Sequence, residues 1–376
     1  MQNFPENQKP APETYQTLKK LWKNHDDIFK KTFQSKKPYG EPMGKKQLED
    51  CVDSLEPLID AGLIIDYQDF INVESTCQIN VIDRTSYTDP IFICTDFPEH
   101  NKQRVFPYCD EAEQWLKLYH QFIRTTDEPE IIVDLCCGAG SIGLCLAKLY
   151  PRSTVIGFDN NPRALKYAEY NATLNHINTL NQRQKRFRVL QWDAIRDIND
   201  YDRGDDTRRE WESWQGQVDL VCADPPFSMN PPEISFEHSH GGEDGSRISH
   251  KNMENAAYLL KERGVFLMLS YSLGDKEKPI KLLETFADYF PENNYEIVSK
   301  LQSIPDALVW RVNGEKSFKA PMDVQYMIAR YNDEPFYTRF QKKGKTLKDY
   351  QQWIDTTMID KGLTHLHYIW LAVRKK

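Results

Sequence analysis

"IIVDLCCGAGSIGLCLAKLYPRSTVIGFDNN", Ile131–Asn161, decides the fold. The apolar-dominated run Ile131–Leu135 leads into Gly138-x-Gly140-x-x-Gly143. A helical pattern follows, then a second apolar run that ends at Asp159. Runs that are apolar throughout, without alternation, fit strands covered on both faces. Glycines between strand and helix allow a tight turn and close approach of backbone to a ligand. By itself the spacing suits a dinucleotide, or mere closure of a strand–helix turn.

The same texture continues downstream in "FRVLQWD" (187–193), "VDLVCAD" (218–224) and "GVFLMLS" (264–270). Helical patterns fall near 141–150, 162–175, 248–263 and 276–289. Alternating β and α elements predict an α/β fold with a doubly wound parallel sheet. Three strand-like runs end in an acid: Asp159, Asp193 and Asp224. In open α/β sheets, ligands bind beyond the carboxyl ends of the strands, where these acids fall.

Upstream, "ETYQTLKKLWKNHDDIFKKTF" (13–33) and "KKQLEDCVDSLEPLIDAGLI" (45–64) are patterned as helices. "CQINVID" (77–83) and "PIFICTDF" (90–97) read as short strands. Residues 1–12 are polar and Pro-containing, unlike a signal peptide, and read as disordered. The mixed-charge segment 196–216 reads as a solvated helix or insertion. Toward the C-terminus, "LVWRV" (308–312), "VQYMIARY" (324–331) and "LHYIWLAVRKK" (366–376) are strand-like, and a helix at 347–362 is stopped by Gly362. The expected organisation is a small N-terminal α+β cap or substrate domain (1–100), the α/β domain (101–335) and a C-terminal helix–strand extension (336–376).

Composition narrows the function classes. With 376 residues, 40% hydrophobic and 28% charged, the chain is a globular protein with ample core. Its net charge of −8 disfavours a general nucleic-acid binder, although a local basic patch such as "NQRQKRFR" (181–188) is compatible with it. The eight cysteines form no CxxC pair, so neither a zinc site nor a dithiol is signalled, and a reduced, cytoplasmic protein is expected. His238, His240 and His250 fit no standard metal spacing, and no metal is expected. No apolar run approaches the ~20 residues that a membrane span needs.

The acids sharpen the ligand. Asp134, four residues before the first glycine, would repel a pyrophosphate but attract an ammonium group. Asp159 is placed to accept both hydroxyls of a ribose. Asn161-Pro162 supplies a helix N-cap and first helical residue. Asp193 is placed to accept from an adenine amino group; plain capping is the alternative.

At this point "VDLCCGAG", "GFDNN", "QWDA" and "CADPPF" occur in the order seen in class I S-adenosylmethionine-dependent methyltransferases, which the chain resembles over residues 105–330. The resemblance implies a Rossmann-like sheet and S-adenosyl-L-methionine as cofactor. It implies that Asp134 and the Gly138–Gly140 backbone face the methionine end, that Asp159 holds the ribose and that Asp193 lies near the adenine. The implied cofactor set is Asp134, Cys136, Gly138, Ala139, Gly140, Asp159, Asn160, Asp193, Ala194 and Asp224. Cys136 stands where many members have glycine.

Asp224-Pro225-Pro226-Phe227 then acquires a chemical reading. A planar amino group is a poor nucleophile because its lone pair is delocalised. Two acceptors, the Asp224 carboxylate and the Pro225 carbonyl, suit its two N–H bonds, and the prolines hold both acceptors in place. Phe227 offers a face for stacking. Such hydrogen bonds accelerate methyl transfer if they strengthen as the nitrogen becomes tetrahedral and positive. Similar [DNS]PP[YF] motifs mark methyltransferases acting on planar or exocyclic nitrogen. "HSHGGEDGSR" is similar to the Gly-Gly-x-Asp-Gly stretch of release-factor glutamine methyltransferases (HemK-like), and "VFPYCDEAEQW" loosely matches their pre-core segment. Candidate substrate contacts are Pro226, Tyr108, His238, His240 and Arg247. The expected acceptor is a small molecule, peptide or protein side chain. The alternatives are an RNA or DNA base, or a non-methyl use of the cofactor that releases methylthioadenosine.

Overall fold

A computed structural model describes residues 8–34, 42–66, 72–83, 89–97, 105, 112, 115–119, 128–178, 185–196, 202, 205–229, 231, 240–303, 308–312, 316–319, 321–324, 341 and 343–376. The chain divides into two compact units: Met1–Glu113 with Thr126–Trp192, and Gln114–Thr125 with Asp193–Lys376.

The helical pattern expected over 13–33 is helical, but His25, at φ −142° and ψ 52°, breaks it into α1 (Pro12–Asn24) and α2 (Asp26–Phe33). The single helical pattern expected over 45–64 is instead broken into α3 (Lys45–Glu49) and α4 (Glu56–Asp60). Pro57 is the second residue of α4, and Ser54 Oγ accepts from the Glu56 N–H in the break. Strands β1 (Met43–Gly44), β2 (Ile64–Asp66) and β3 (Asn72–Ser75) form an antiparallel sheet in the order β1-β3-β2. Strands β4 (Gln78–Ile82) and β5 (Ile91–Thr95) pair antiparallel.

The decisive stretch folds as read. Strand β6 (Ile131–Leu135) leads to α5 (Ser141–Leu149), and β7 (Thr154–Asp159) leads to α6 (Pro162–Leu174). With β8 (Phe187–Gln191) the strands pair in parallel in the order β6-β7-β8. Consecutive residues Val155, Ile156, Gly157 and Phe158 are all buried, as a strand covered on both faces requires. Asn161 caps α6 by accepting from the Arg163 N–H, and Pro162 follows it.

Strand β5 lies along α6 in a side-chain ladder. The Asn175 amide exchanges hydrogen bonds with Phe92 N–H and C=O, both 2.8 Å. Asn171 does the same with Cys94, at 2.9 and 3.1 Å. Asp96 then accepts from Tyr167 Oη and from the Arg163 guanidinium. Strand residues two apart advance roughly 6.6 Å, and helix residues four apart about 6 Å, so successive rungs stay in register. The amides satisfy a buried strand edge that would otherwise strand its backbone groups.

The second unit contains α7 (Asp206–Ser213), β9 (Val218–Ala223), α8 (Arg247–Leu259), β10 (Leu260–Gly274), α9 (Ile280–Tyr289), β11 (Tyr295–Ser303), β12 (Leu308–Val312), β13 (Lys316–Lys319), β14 (Met322–Asp323), α10 (Leu347–Thr357) and β15 (His365–Lys375). Strands β9 and β10 are parallel, and the long β15 runs antiparallel to β10 and to β11. The protein is thus α/β with parallel strands at its centre, as expected.

Several boundaries differ from expectation. The helix expected over 248–263 ends at Leu259, because Leu260 pairs with Val218 of β9. Inside β10, Arg263 takes a left-handed φ of 65° beside Gly264, where the pairing with β9 shifts register between Leu260 and Val265. The helix expected from 276 starts at Ile280, because Asp275 Oδ1 accepts from Glu277 and Lys278 N–H in a turn that Pro279 closes. Helix α10 ends at Thr357, and Gly362, at φ 74°, stops a further 3-10 turn at Ile359–Lys361. In the mixed-charge segment, Trp211 is buried and stacks on Tyr258. The strand-like 324–331 lies outside the described residues beyond Val324. Among the described residues, no helix is long and apolar enough to cross a membrane.

Candidate active site

In the first unit, the loop after β6 is fixed by three elements. Gly138 N–H donates to Asp159 Oδ2 at 2.9 Å, and Asn161 N–H donates to Asp159 Oδ1 at 2.9 Å. Gly140 N–H donates to the Cys137 carbonyl at 2.8 Å. With the Asn160 N–H as well, Asp159 accepts from three backbone N–H groups, which aim the carboxylate fork before any ligand arrives. Burial raises the Asp159 carboxyl above its ordinary range, against the N–H groups of Asn161, Gly138 and Asn160.

The glycines of this loop have different duties. Gly138 (φ 54°) faces open space: a Cβ added there meets nothing within 4 Å. At Gly143 a Cβ would sit 2.9 Å from Asp134 Oδ2 and 2.9 Å from the buried Phe187 ring. Gly143 therefore permits close helix–strand packing. Cys136 takes a left-handed φ of 59°. That conformation explains why glycine suits this position and why cysteine there is strained.

Asp134 is 1% exposed, and its Oδ2 accepts from the Gly143 N–H at 2.9 Å. Its visible task is to bind the first turn of α5 to the end of β6. Ala139 is buried, and its carbonyl accepts from Asn171 Nδ2 at 3.0 Å. Asn160 is exposed.

The second unit holds the remaining candidates. Asp193 Oδ1 accepts from the Ile195 N–H across Ala194, in a side-chain turn. Asp224 follows the last residue of β9 and is half-buried. Pro225 is buried and Pro226 half-buried. Phe227 is 9% exposed and packs on Tyr271 at 4.3 Å between ring centroids, with Tyr368 at 6.4 Å. Its ring is thus occupied in locking the turn to β10 and β15.

The Gly-Gly-x-Asp-Gly stretch folds back onto this turn. Ser228 bridges His240, and Gly241 N–H donates to the Ser228 carbonyl at 2.9 Å. A Cβ on Gly241 would lie 2.5 Å from the Gly245 carbonyl oxygen and 2.7 Å from Phe227 Cα. A Cβ on Gly245 would lie 2.5 Å from the Phe227 carbonyl oxygen. Only glycine fits either place, so backbone braces backbone behind the proline pair. Asp244 Oδ1 accepts from the Ser246 N–H and hydroxyl and finishes the loop.

His240 is half-buried, and burial, then the Arg247 cation, push its imidazole below its ordinary range. Among the described residues its Nδ1 has no hydrogen-bond partner. Arg247 is exposed at the start of α8. Tyr108 and His238 lie outside the described residues, as does most of the pre-core match and residues 181–184 of the basic run.

Sequence reasoning did not single out Asn171, Asp96, Tyr271 or Tyr368. Tyr271 and Tyr368 sit opposite each other in the β10–β15 register, a pairing across a long separation that no local pattern announces.

Residues 127–317, just over half of the chain, match the family described as "Methyltransferase domain". The chain belongs to this methyltransferase-domain family. Its relatives include the release factor glutamine methyltransferase of Thermodesulfovibrio yellowstonii, 28% identical over 47% of this chain and 58% of that protein. Another is the 4-amino-L-phenylalanine/4-methylamino-L-phenylalanine methyltransferase of Streptomyces pristinaespiralis, 29% identical over 39% of this chain and 44% of that one. The chain therefore spans about half the length of these relatives. Among solved structures, a Haemonchus contortus phosphoethanolamine N-methyltransferase 2 superposes with a TM-score of 0.37 at 13% identity, covering 70% of this chain and 52% of that one. At that distance no residue role is transferred.

Proposed function

We propose that the chain is an S-adenosylmethionine-dependent N-methyltransferase acting on a planar or exocyclic nitrogen of a small molecule, peptide or protein side chain. The observation that carries the reading is the preset Asp159 fork beside a glycine that opens onto free space. A vicinal diol matches two carboxylate oxygens, and the bare Gly138 backbone leaves room for the rest of a nucleoside. These residues fit the cofactor; Asp193 and Ala194 are assigned to the adenine side and Cys136–Gly140 to the amino-acid side. Asp134 acts on that side mainly by shaping the loop. When bound, the cofactor supplies an electrophilic methyl on a sulfonium.

The chain's own work on the acceptor is assigned to the turn at 224–227. The Asp224 carboxylate and Pro225 carbonyl accept from the two N–H bonds of the acceptor nitrogen. Charge-assisted hydrogen bonds of this kind contribute about 1.5–3 kcal/mol each, and the share that grows with developing positive charge lowers the barrier. Rigidity makes the two acceptors effective, and the glycine brace and the Phe227–Tyr271–Tyr368 cluster supply it. The planar-nitrogen reading is supported by the relatives' named substrates: a glutamine amide and an arylamine both carry nitrogen on a planar group.

The test is incubation of the protein with cell extract and isotopically labelled cofactor. Labelled acceptor with release of S-adenosylhomocysteine supports the reading. Release of methylthioadenosine instead would show that another group is transferred. Label recovered in RNA or DNA would replace the acceptor class.

A further inference from the structure

Asn171 uses its amide differently from its neighbour on the ladder. It is fully buried, and its Oδ1 accepts from Cys94 N–H, while its Nδ2 donates to the Cys94 carbonyl and to the Ala139 carbonyl at 3.0 Å. Both N–H bonds are therefore engaged. The Ala139–Gly140 peptide is held at both ends: Asn171 binds its carbonyl, and the Cys137 carbonyl binds its N–H. On its C-terminal side that peptide meets Gly140, at φ 83°, where rotation of a peptide plane is less hindered than at a residue with a side chain. Asn175 makes the same pair of bonds to Phe92, but its remaining bond returns to the Asn171 carbonyl of its own helix.

We propose that Asn171 is a positioning residue through which the N-terminal strand β5 sets the shape of the cofactor loop. The expected cap or substrate role of the N-terminal segment is then joined by a second one. Through Cys94 it orients Asn171, and through Asn171 it fixes the Ala139 carbonyl. At the head of the same helix, Asp96 accepts from Arg163, two residues beyond the N-cap Asn161 that flanks the Asp159 fork. The inference rests on the cofactor reading above.

The ladder supplies its own control. Asn171→Ala and Asn175→Ala each remove one amide rung to β5, and only the first releases the loop. In the full-length protein, both are expected to lower thermal stability to a similar extent. Asn171→Ala is expected to weaken S-adenosylhomocysteine binding by calorimetry about tenfold, against a change within about threefold for Asn175→Ala. In ligand-free protein, hydrogen exchange of a peptide spanning 136–143 is expected to speed up in Asn171→Ala alone. Equal effects of the two variants on binding and exchange overturn the proposal, because the amide is then only a rung. If the wild type binds no S-adenosylhomocysteine, the cofactor reading falls, while the exchange comparison still decides whether Asn171 holds the loop. If Asn171→Ala does not fold, Asn171→Ser carries the same comparison.

Discussion

Two glycine loops, 138–143 in the first unit and 241–245 in the second, look alike in sequence and work in opposite ways. At Gly138 an added Cβ meets nothing within 4 Å, whereas at Gly241 it would lie 2.5 Å from a carbonyl oxygen. In the first loop Gly138 opens onto free space, while Gly143 packs helix against strand. The second uses glycine to let two stretches of backbone touch. A glycine therefore marks close approach, and only the surroundings tell whether a ligand or the protein itself makes that approach. Here the open loop belongs with the carboxylate fork and the closed loop with the proline turn, which divides the proposed labour between cofactor and acceptor.

The strongest way to break that division is to remove one acid from each side. Asp224→Ala is expected to lower turnover by roughly 10³-fold while cofactor affinity stays within several-fold. Asp159→Ala is expected to weaken cofactor binding by about 100-fold, the loss of two hydrogen bonds to a charged group. Calorimetry with S-adenosylhomocysteine and turnover on an identified acceptor measure the two effects. If both variants lose binding equally, the two loops do not divide the work.

The open loop was the more legible of the two. Apolar runs, glycine spacing and the terminal Asp159 are local signals, and they placed β6, α5, β7 and α6 to within about two residues. The closed loop was legible only as a motif, because the contact of Gly241 and Gly245 with Phe227 depends on a fold-back across 14 and 18 residues. Leu260–Arg263 looks helical in sequence and is strand for a related reason. Leu, Lys, Glu and Arg are all good helix formers, and pairing of Leu260 with Val218 overrides that preference. Asn171 and Asn175 were silent, since asparagine in a helix signals nothing until the strand beside it is known.

Gly241→Ala tests the closed loop by the next largest effect. Its neighbours are backbone atoms of Gly245 and Phe227, which cannot rotate out of the way. A destabilisation of about 3 kcal/mol is expected in urea unfolding, with loss of turnover. Gly138→Ala, with no atom to meet, is expected to cost only about 1 kcal/mol for its positive φ while impairing cofactor affinity. Equal destabilisation by the two changes would erase the contrast between the loops.

Acid should expose the fork. In the proposed complex ribose hydroxyls donate to Asp159, so the ionised form binds and the protonated form loses acceptor capacity. Because burial raises this carboxyl, affinity is expected to fall on acidification sooner than for an ordinary aspartate near about 3.9. The sign for stability is the reverse of that for a paired acid: a raised carboxyl disfavours the folded state above its unfolded pKa. Acid lability near neutrality must come from groups such as His240, whose lowered pKa withdraws stability as the pH falls below about 6.5. Affinity for S-adenosylhomocysteine measured from pH 7.5 downward should begin to decline in the wild type at a higher pH than an ordinary aspartate would give, and stay flatter in Asp159→Asn. Parallel declines would assign the titration to another group.

The smallest effect sharpens the reading of the open loop itself. Cys136 holds a left-handed φ of 59°, which disfavours a side chain by roughly 1–2 kcal/mol. Cys136→Gly relieves that strain, but it also loosens the unfolded chain by about 0.4–1 kcal/mol, so the net expected gain is about 0.5–1 kcal/mol. Urea unfolding resolves a change of that size if the slope is unaltered. A destabilised Cys136→Gly would mean that contacts of the half-exposed thiol outweigh the strain, and that the cysteine shapes the loop instead of merely being tolerated in it. Cofactor affinity separates the cases again: relief of strain alone leaves it unchanged, whereas a thiol that shapes the loop takes affinity with it when removed.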